Sequence, residues 1–549
     1  SLLFLLLLLL NAGELLGQKN WTGAVDNNWH NAGNWSPAGV PTATDDVLFN
    51  NVTFCNINTP AVCRNFVIQG FLDEVYLNNT TLSIHGTIAN LSGLFNFIPS
   101  GTARVILTGN TNTDFLVPDP SPPFVDIEIR KTTSTNTVTI DNNAALAIQL
   151  LVLNQGTAQF SAANPIITNI EVNTSSSSFS FPPAFTPAQR NLTVSGLFTV
   201  LSGQLTIATN NTLRIAGNYV QNGGTIIGAQ VTTAATCPVQ FTGGTNTTLS
   251  GSAIDIRSAI NINKTAGFKV EIPGTSLSNL LVGTAAANKN LFIQSGELDI
   301  ANGTPLRVFG SLNIVNTGVV RATNGTTVIQ LTGDWNSNAA TTVNPFIRGT
   351  SSVQFIGTAN SVIRPSPSTE FDGLALIKTG SGLVTSLDAA TNPLRIAGTL
   401  SVNPGNTLRM SDVVNTSTTV GLAVPFNHIA GAAGTVNVAV PDPDLIVRDV
   451  SIANGGGIDL FSNEPAGANT IAMHISGNLT DNNSAFSTAT TGLHVGPNVL
   501  SGGGSQADNN ALPTVVFVGG ANQSVDGNTN GMRNYSNTTI AGLSGLYLP

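Results

Sequence analysis

Short runs of alternating apolar and polar residues recur along the chain: LTVSGLFTV, GQLTIATN, TLRIAGNYV, GTIIGAQV and PVQFTGG follow one another from Leu192. A period of two puts the apolar side chains on one face of a strand, so the runs predict half-buried β-strands. β-branched and aromatic residues fill the runs. Gly, Asn, Thr and Pro fill the gaps between them, where turns need them. No stretch sustains a 3.6-residue period beyond about ten residues. The chain therefore reads as all-β, built from many short strands.

The runs belong to a larger repeat. RVILTGNTNT from Arg104, PVQFTGGTNT from Pro238, SVQFIGTANS from Ser352 and TVVFVGGANQ from Thr514 are alternating strands that end at Gly109, Gly243, Gly357 and Gly519. A second motif follows at a near-constant distance, with Lys131, Lys264 and Lys378 at equivalent places and Ile540 in the fourth copy. A third motif precedes, around Gly86, Gly217, Gly333 and Gly477, and LRIAG recurs verbatim at Leu213 and Leu394. Self-similarity of this kind predicts stacked supersecondary units. The modules start near residues 81, 212, 328 and 471; the last carries a Gly-rich insertion around SGGGSQADNN and stops inside its repeat at Pro549.

Two architectures accommodate such a chain. One is a string of tandem β-sandwich domains. The other is a right-handed parallel β-helix (β-solenoid), with turns of about 20 residues stacked about 4.8 Å apart. Sandwich strands pair through tight two-residue hairpins, whereas here the gaps are loose and the beat is unbroken, which favours the solenoid. The expected organisation is a signal-peptide remnant at 1–18, a Trp-containing N-terminal capping region at 19–80 and solenoid repeats at 81–549.

Composition narrows the function. Among 549 residues, 20 Lys and Arg oppose 29 Asp and Glu, giving a net charge of −9. Charged residues are only 9% of the chain, against roughly 25% in ordinary soluble domains. In-register like charges would repel in a stacked coil, whereas Asn and Thr can hydrogen-bond along a ladder. The apolar content excludes disorder, the acidic balance argues against a nucleic-acid partner, and the scarcity of Glu, Lys and Arg argues against helical bundles.

The first residues, SLLFLLLLLL, have the length of a signal-peptide core and are too short to span a bilayer. No later apolar stretch reaches the length of a transmembrane segment, so the expected protein is exported and extracellular or on the cell surface. Cys55 and Cys63 flank the turn formers Asn58, Thr59 and Pro60, and a disulfide across that turn suits an exported protein. Cys237 is expected to act as a small buried apolar residue.

Residues 20–50 hold Trp21, Trp29 and Trp35 in the order W-T-G, D-x-x-W and N-x-x-N-W, followed by a Pro-rich turn and D-D-V. This block resembles the start of large exported Bacteroidetes surface proteins. Their G-N-W, V-x-F-x-G and L-x-I-x-K strands are echoed here by Gly333–Trp335, by Val239 and Val353, and by the Lys264 and Lys378 motifs. The resemblance implies a β-solenoid adhesin or extracellular scaffold, exported through Sec and then the type 9 secretion machinery. In physical terms, the three Trp are expected to cover the open end of the solenoid; the functional alternative is a stacking platform for sugar rings.

Candidate chemistry is sparse. His30, His85, His428, His474 and His494 show no metal spacing, and His85 and His474 are expected on solvated strand faces. Asp442, Asp444 and Asp449 are weak candidates for loose Ca²⁺ binding, with turn formation as the plainer role; Asp45 and Asp46 share that reading. No other cofactor is expected. The recurring lysines are expected to point outward and discourage edge pairing, or to attract anionic glycans singly. No nucleophile elbow is present, and the Thr array is too irregular for an ice-binding face. The expectation is a non-enzymatic rod whose partners are extracellular glycans or surface proteins. The alternatives are a polysaccharide-binding or polysaccharide-degrading β-helix, and a stalk for a catalytic domain beyond Pro549.

Overall fold

The computed structural model describes residues 17–409 apart from short segments (51–53, 70–73, 92–96, 117–124, 142–147, 162–163, 181–189, 253, 274–279, 301–302, 304, 324–326, 343, 381–382 and 388–393), and beyond 409 the strands between Leu445 and Tyr547. The signal-peptide remnant expected at 1–18 lies outside the described residues but for Gly17 and Gln18. The chain is all-β, a β-solenoid of parallel strands, with only single-turn 3-10 segments beside them among the described residues. Tandem sandwiches are excluded, because their strands would pair antiparallel. The chain divides into two compact units, residues 1–229 with 238–240 and residues 230–237 with 241–549.

In the first unit each early turn has three strands. Asp46–Phe49, Phe54–Ile57 and Ala61–Cys63 form one turn. Phe66–Ile68, Glu74–Asn78 and Thr81–Ile84 form the next, each strand parallel to its predecessor one turn back. The turns thus begin at Asp46, inside the region expected to be a cap. Because register is kept, inward residues stack into columns. Val47, Phe66, Ile88, Phe115, Ile140 and Phe160 form one column. Leu82, Val105, Ile127, Leu151, Ile170, Phe198 and Tyr219 form another, and every member of both is buried.

The second unit repeats the arrangement. Ile254, Leu280, Leu306, Ile329, Val353, Leu374, Leu400 and Val450 stack in one buried column. Trp335 joins Ile260, Leu291, Leu312 and Ile363 in a second. Its ring packs edge-on against Phe346 and Phe371 at 4.9 and 5.0 Å, and its Nε1 donates to Ser337 Oγ at 3.0 Å. Fully burying one such side chain is worth about 1.5–3 kcal/mol, so the columns are the main favourable term.

Two families of glycine make the corners. Gly109, Gly243 and Gly357 have φ of +83°, +92° and +91°, a region L-residues rarely enter. Gly86, Gly217 and Gly333 lie against the preceding turn: a Cβ would sit 2.1 Å from Asn65 Oδ1, 1.7 Å from Gly196 O and 2.7 Å from the Gly310 carbonyl carbon. The two Gly motifs seen in sequence are therefore a left-handed corner and a close approach between turns.

Candidate functional site

The recurring lysines are buried, which corrects the expectation that they point outward. Lys131, Lys264 and Lys378 are 2%, 1% and 4% exposed. Each ammonium reaches back one turn into the loop that follows the left-handed Gly corner or immediately precedes it. Lys131 Nζ donates to Thr108 O at 2.6 Å and to Thr113 Oγ1. Lys264 Nζ donates to Thr242 O at 2.5 Å. Lys378 Nζ donates to Ala359 O and Ser361 Oγ, both at 2.5 Å. The next residue repeats too: the backbone N–H groups of Thr132, Thr265 and Thr379 donate to the carbonyls of Gly109, Gly243 and Gly357 at 3.2, 3.1 and 2.8 Å. Each lysine stem fills the corner of the core while its head satisfies buried acceptors. Burial lowers all three ammonium groups to about 8. Buried in this way, none is displayed to an anionic glycan.

The fourth copy also changes. Ile540 is paired with Phe517 as Leu376 is with Phe355, so Ile540 takes the strand register of Leu376, two residues before the lysine site.

Trp21, Trp29 and Trp35 are 0%, 0% and 2% exposed, so their rings offer no face to a sugar. Trp35 packs edge-on against Trp21 and Trp29 at 4.9 and 4.8 Å, and all three contact Phe49. Gln18–Trp21 pairs parallel with Asp46–Phe49, and Trp35–Ser36 runs antiparallel to its other edge. The polar residues of the block tie its loop. Asn34 Oδ1 accepts the N–H groups of Val25 and Asp26, and its Nδ2 donates to Asp26 Oδ1 at 2.6 Å. On the other edge of Gln18–Trp21, Asn20 pairs with Ser36 and Trp21 with Trp35.

The expected Cys55–Cys63 disulfide is not formed; all three cysteines are free and buried. Cys55 stacks on Val75 and Cys63 on Ile84, in columns on separate strands of one turn, where each fills a small apolar place. Burial raises both thiols well above the ordinary value and pushes Cys237 up to about 12. Cys237 packs against Ala259 and Phe292, as a small apolar residue would.

Other polar candidates scatter. His30 Nδ1 lies 3.2 Å from Thr59 Oγ1 and its Nε2 lies 3.2 Å from Pro60 O, with no carboxylate among the described residues to orient the ring. His85 sits in the bend after Thr81–Ile84, not in the strand, and lines a corner cleft of about 410 Å³ with Arg64, Asn65, Asn110 and Asn112. Asp45 accepts from Thr42, and Asp46 pairs with Arg64 at 2.7 Å, which uses both carboxylates locally. His428, Asp442 and Asp444 lie outside the described residues. Of His474, His494 and Asp449 the backbone alone is described, with Asp449 opposite Thr399. No group of three or more His, Cys, Asp or Glu that could hold a metal occurs among the described residues. Among them, too, no helix is long and apolar enough to cross a membrane.

A second cleft, of about 350 Å³, lies in the second unit at the corner beside Lys264. Its walls include Asn246, half-buried Phe268, Lys269, Glu297, Thr317 and Thr342. The strands Lys269–Ile272, Leu291–Ile300 and Leu312–Arg321 carry the outward charges beside it. Lys269 lies 2.7 Å from Asp299 and 3.2 Å from Glu271, while Arg321 holds Glu297 through two bonds of 2.6 and 2.9 Å. The hydrogen bond that Lys269 donates to Asp299 holds its ammonium above the ordinary lysine value. Each of the three carboxylates is engaged by a cation, so the face presents closed ion pairs instead of an exposed acid–base pair.

Sequence reasoning missed this cleft. Phe268 donates its N–H to Thr265 O, and Lys269 donates its N–H to Asn246 Oδ1. In the first copy Asn136 and Thr137 make the same contacts with Thr133 and Asn112. An aromatic where a sister turn has Asn was the available signal.

Searches against protein-family models, curated proteins and solved structures return no match for this chain.

Proposed function

We propose that the protein is an exported, non-enzymatic β-solenoid that acts as an extracellular or cell-surface scaffold and adheres to glycans or surface proteins. One observation carries the reading. The lysines that recur in three of the four copies are turned inward and hold turn upon turn, and the recurring glycines let the turns approach closely at their corners. A repeat kept for display would put its recurring residues outside. Repetition of internal contacts extends a surface along which many weak polar contacts act together, and such contacts gain avidity by multivalency. Export rests on the apolar leader, and the type 9 route on the resemblance of the Trp block. A carbohydrate-active β-helix, the second reading, is favoured by one feature, the Phe268 cleft with its charged rim. The closed ion pairs there favour binding over turnover.

The test is adhesion. Beads coated with the purified chain are expected to attach to polysaccharide-coated or cell-surface-protein-coated slides more firmly than albumin-coated beads under flow. Detachment at the same shear as the control overturns the reading.

A further inference from the structure

The cleft beside Lys264 has three properties that together select a ligand class. The first is shape: about 350 Å³ of concave space, within the size range of small-ligand pockets. The second is an apolar wall. Phe268 is half-buried at a corner where the first copy carries Asn136, so packing of the turns does not demand an aromatic there. The third is the hydrogen-bonding character of the rim. Asn246 spends its Oδ1 on the Lys269 N–H, which leaves its exposed amide group to donate. Thr317 donates to Ser295 Oγ at 3.1 Å and Thr342 to Gly318 O at 3.3 Å, which leaves both hydroxyl oxygens able to accept. Donor and acceptor capacity therefore stand side by side around an apolar wall.

Charge removes the other classes. Lys269 is held by Asp299 and Glu271, and Glu297 is held by Arg321. An anionic ligand would meet a cation already engaged by two carboxylates. A cationic ligand would have to displace a bidentate arginine, and an ion taken out of water without a partner is costly. A neutral ligand that both donates and accepts hydrogen bonds and carries one apolar face escapes both costs. A sugar ring has that combination: hydroxyls at its edge and a C–H face for an aromatic.

We propose that this cleft, walled by Phe268 and rimmed by Asn246, Thr317 and Thr342, is a binding subsite for a neutral sugar unit of a polysaccharide. The assignment deepens the adhesive reading and rests on it. The ring lies against Phe268, its hydroxyls accept from Asn246 and donate to Thr317 and Thr342, and the ion pairs of Lys269 and Arg321 fence the site. Ala266 and Gly267, both exposed, form the lip; no atom lies within 4 Å of a Cβ built on Gly267.

The experiment is native affinity electrophoresis of the full chain in gels cast with single polysaccharides: the neutral polymers laminarin, mannan, dextran and xyloglucan, and the anionic polygalacturonate as comparison. At least one neutral polymer is expected to retard the protein, and polygalacturonate is not. Phe268→Ala is expected to abolish that retardation. Ala266→Trp, at an exposed lip position, is expected to abolish it by filling the cleft, with an unchanged thermal midpoint that separates blocking from misfolding. Phe54→Ala, an exposed aromatic of the first unit (45% exposed), is expected to leave it intact. Equal retardation of wild type, F268A and A266W overturns the cleft while leaving adhesion through other surfaces standing. Retardation by polygalacturonate alone overturns the neutral-ligand assignment. No retardation by any polymer overturns the cleft proposal; attachment of the coated beads to protein-coated slides would then still support the scaffold reading.

Discussion

Stability should rise with pH in a window where most proteins gain nothing, and three lysines set the sign. Burial lowers Lys131, Lys264 and Lys378 to about 8 from an ordinary value of 10.5. Between those limits the unfolded chain holds more protons than the folded one, so the free energy of unfolding increases with pH. Below about 8 the ammonium is charged in both states and the full cost of burying it is borne. From about pH 7 to about pH 9 each lysine contributes on the order of 1 kcal/mol. The buried thiols oppose this. Cys55, Cys63 and Cys237 are raised above their ordinary 9.0, so the unfolded chain loses thiol protons first above about pH 9 and stability is drawn down. The sum is a rise that is steepest between about pH 8 and 9 and flattens above. Urea unfolding followed by circular dichroism across that range reads it directly. Replacing all three lysines by Met keeps the stems, removes their titration and should abolish the rise, leaving only the decline set by the thiols. A flat or falling midpoint from about pH 8 to 9, or an undiminished slope in the triple variant, would refute the argument.

Three further outcomes follow from the packing. Leu306→Ala, in the middle of the long column of the second unit and 0% exposed, should cost about 2–5 kcal/mol in denaturant unfolding; a loss under about 1 kcal/mol would mean that the column is not tightly packed. Gly357→Ala should destabilise by more than about 1 kcal/mol, because φ is +91° and the new Cβ would sit 3.2 Å from Thr332 Cβ; the same assay would show no loss if the corner relaxed. Under non-reducing conditions the native protein should react with an aromatic disulfide reagent only after denaturant is added, and then release three thiols; one thiol would instead report a Cys55–Cys63 bridge.

The strand rows were legible in sequence because period-two alternation has a single physical cause, one face buried. The solenoid followed from loose gaps and repetition. What the repeat meant at its corners was hidden. A lysine in L-x-I-x-K reads as a surface charge, and only the fold reveals that the turn behind it offers Thr108 O or Ala359 O to the ammonium. The cysteine spacing suited a bridge, but sequence distance does not report that Cys55 and Cys63 stack on different neighbours, Val75 and Ile84. The cleft was obscured for the opposite reason. Phe268 breaks the repeat, and attention to shared positions passes over the one that differs. The ion pairs beside it, Lys269 with Asp299 and Arg321 with Glu297, join residues a full turn apart, a separation that no local motif displays.

The central claim is that these faces hold a polymer without altering it. The most direct measurement incubates the purified chain with a bound neutral polysaccharide, elutes the polymer and compares its size distribution with untreated material by size-exclusion chromatography and light scattering. The account predicts retention on the protein with chain length unchanged and no new reducing ends. Progressive shortening, proportional to protein concentration and time, would contradict it and make the solenoid an enzyme.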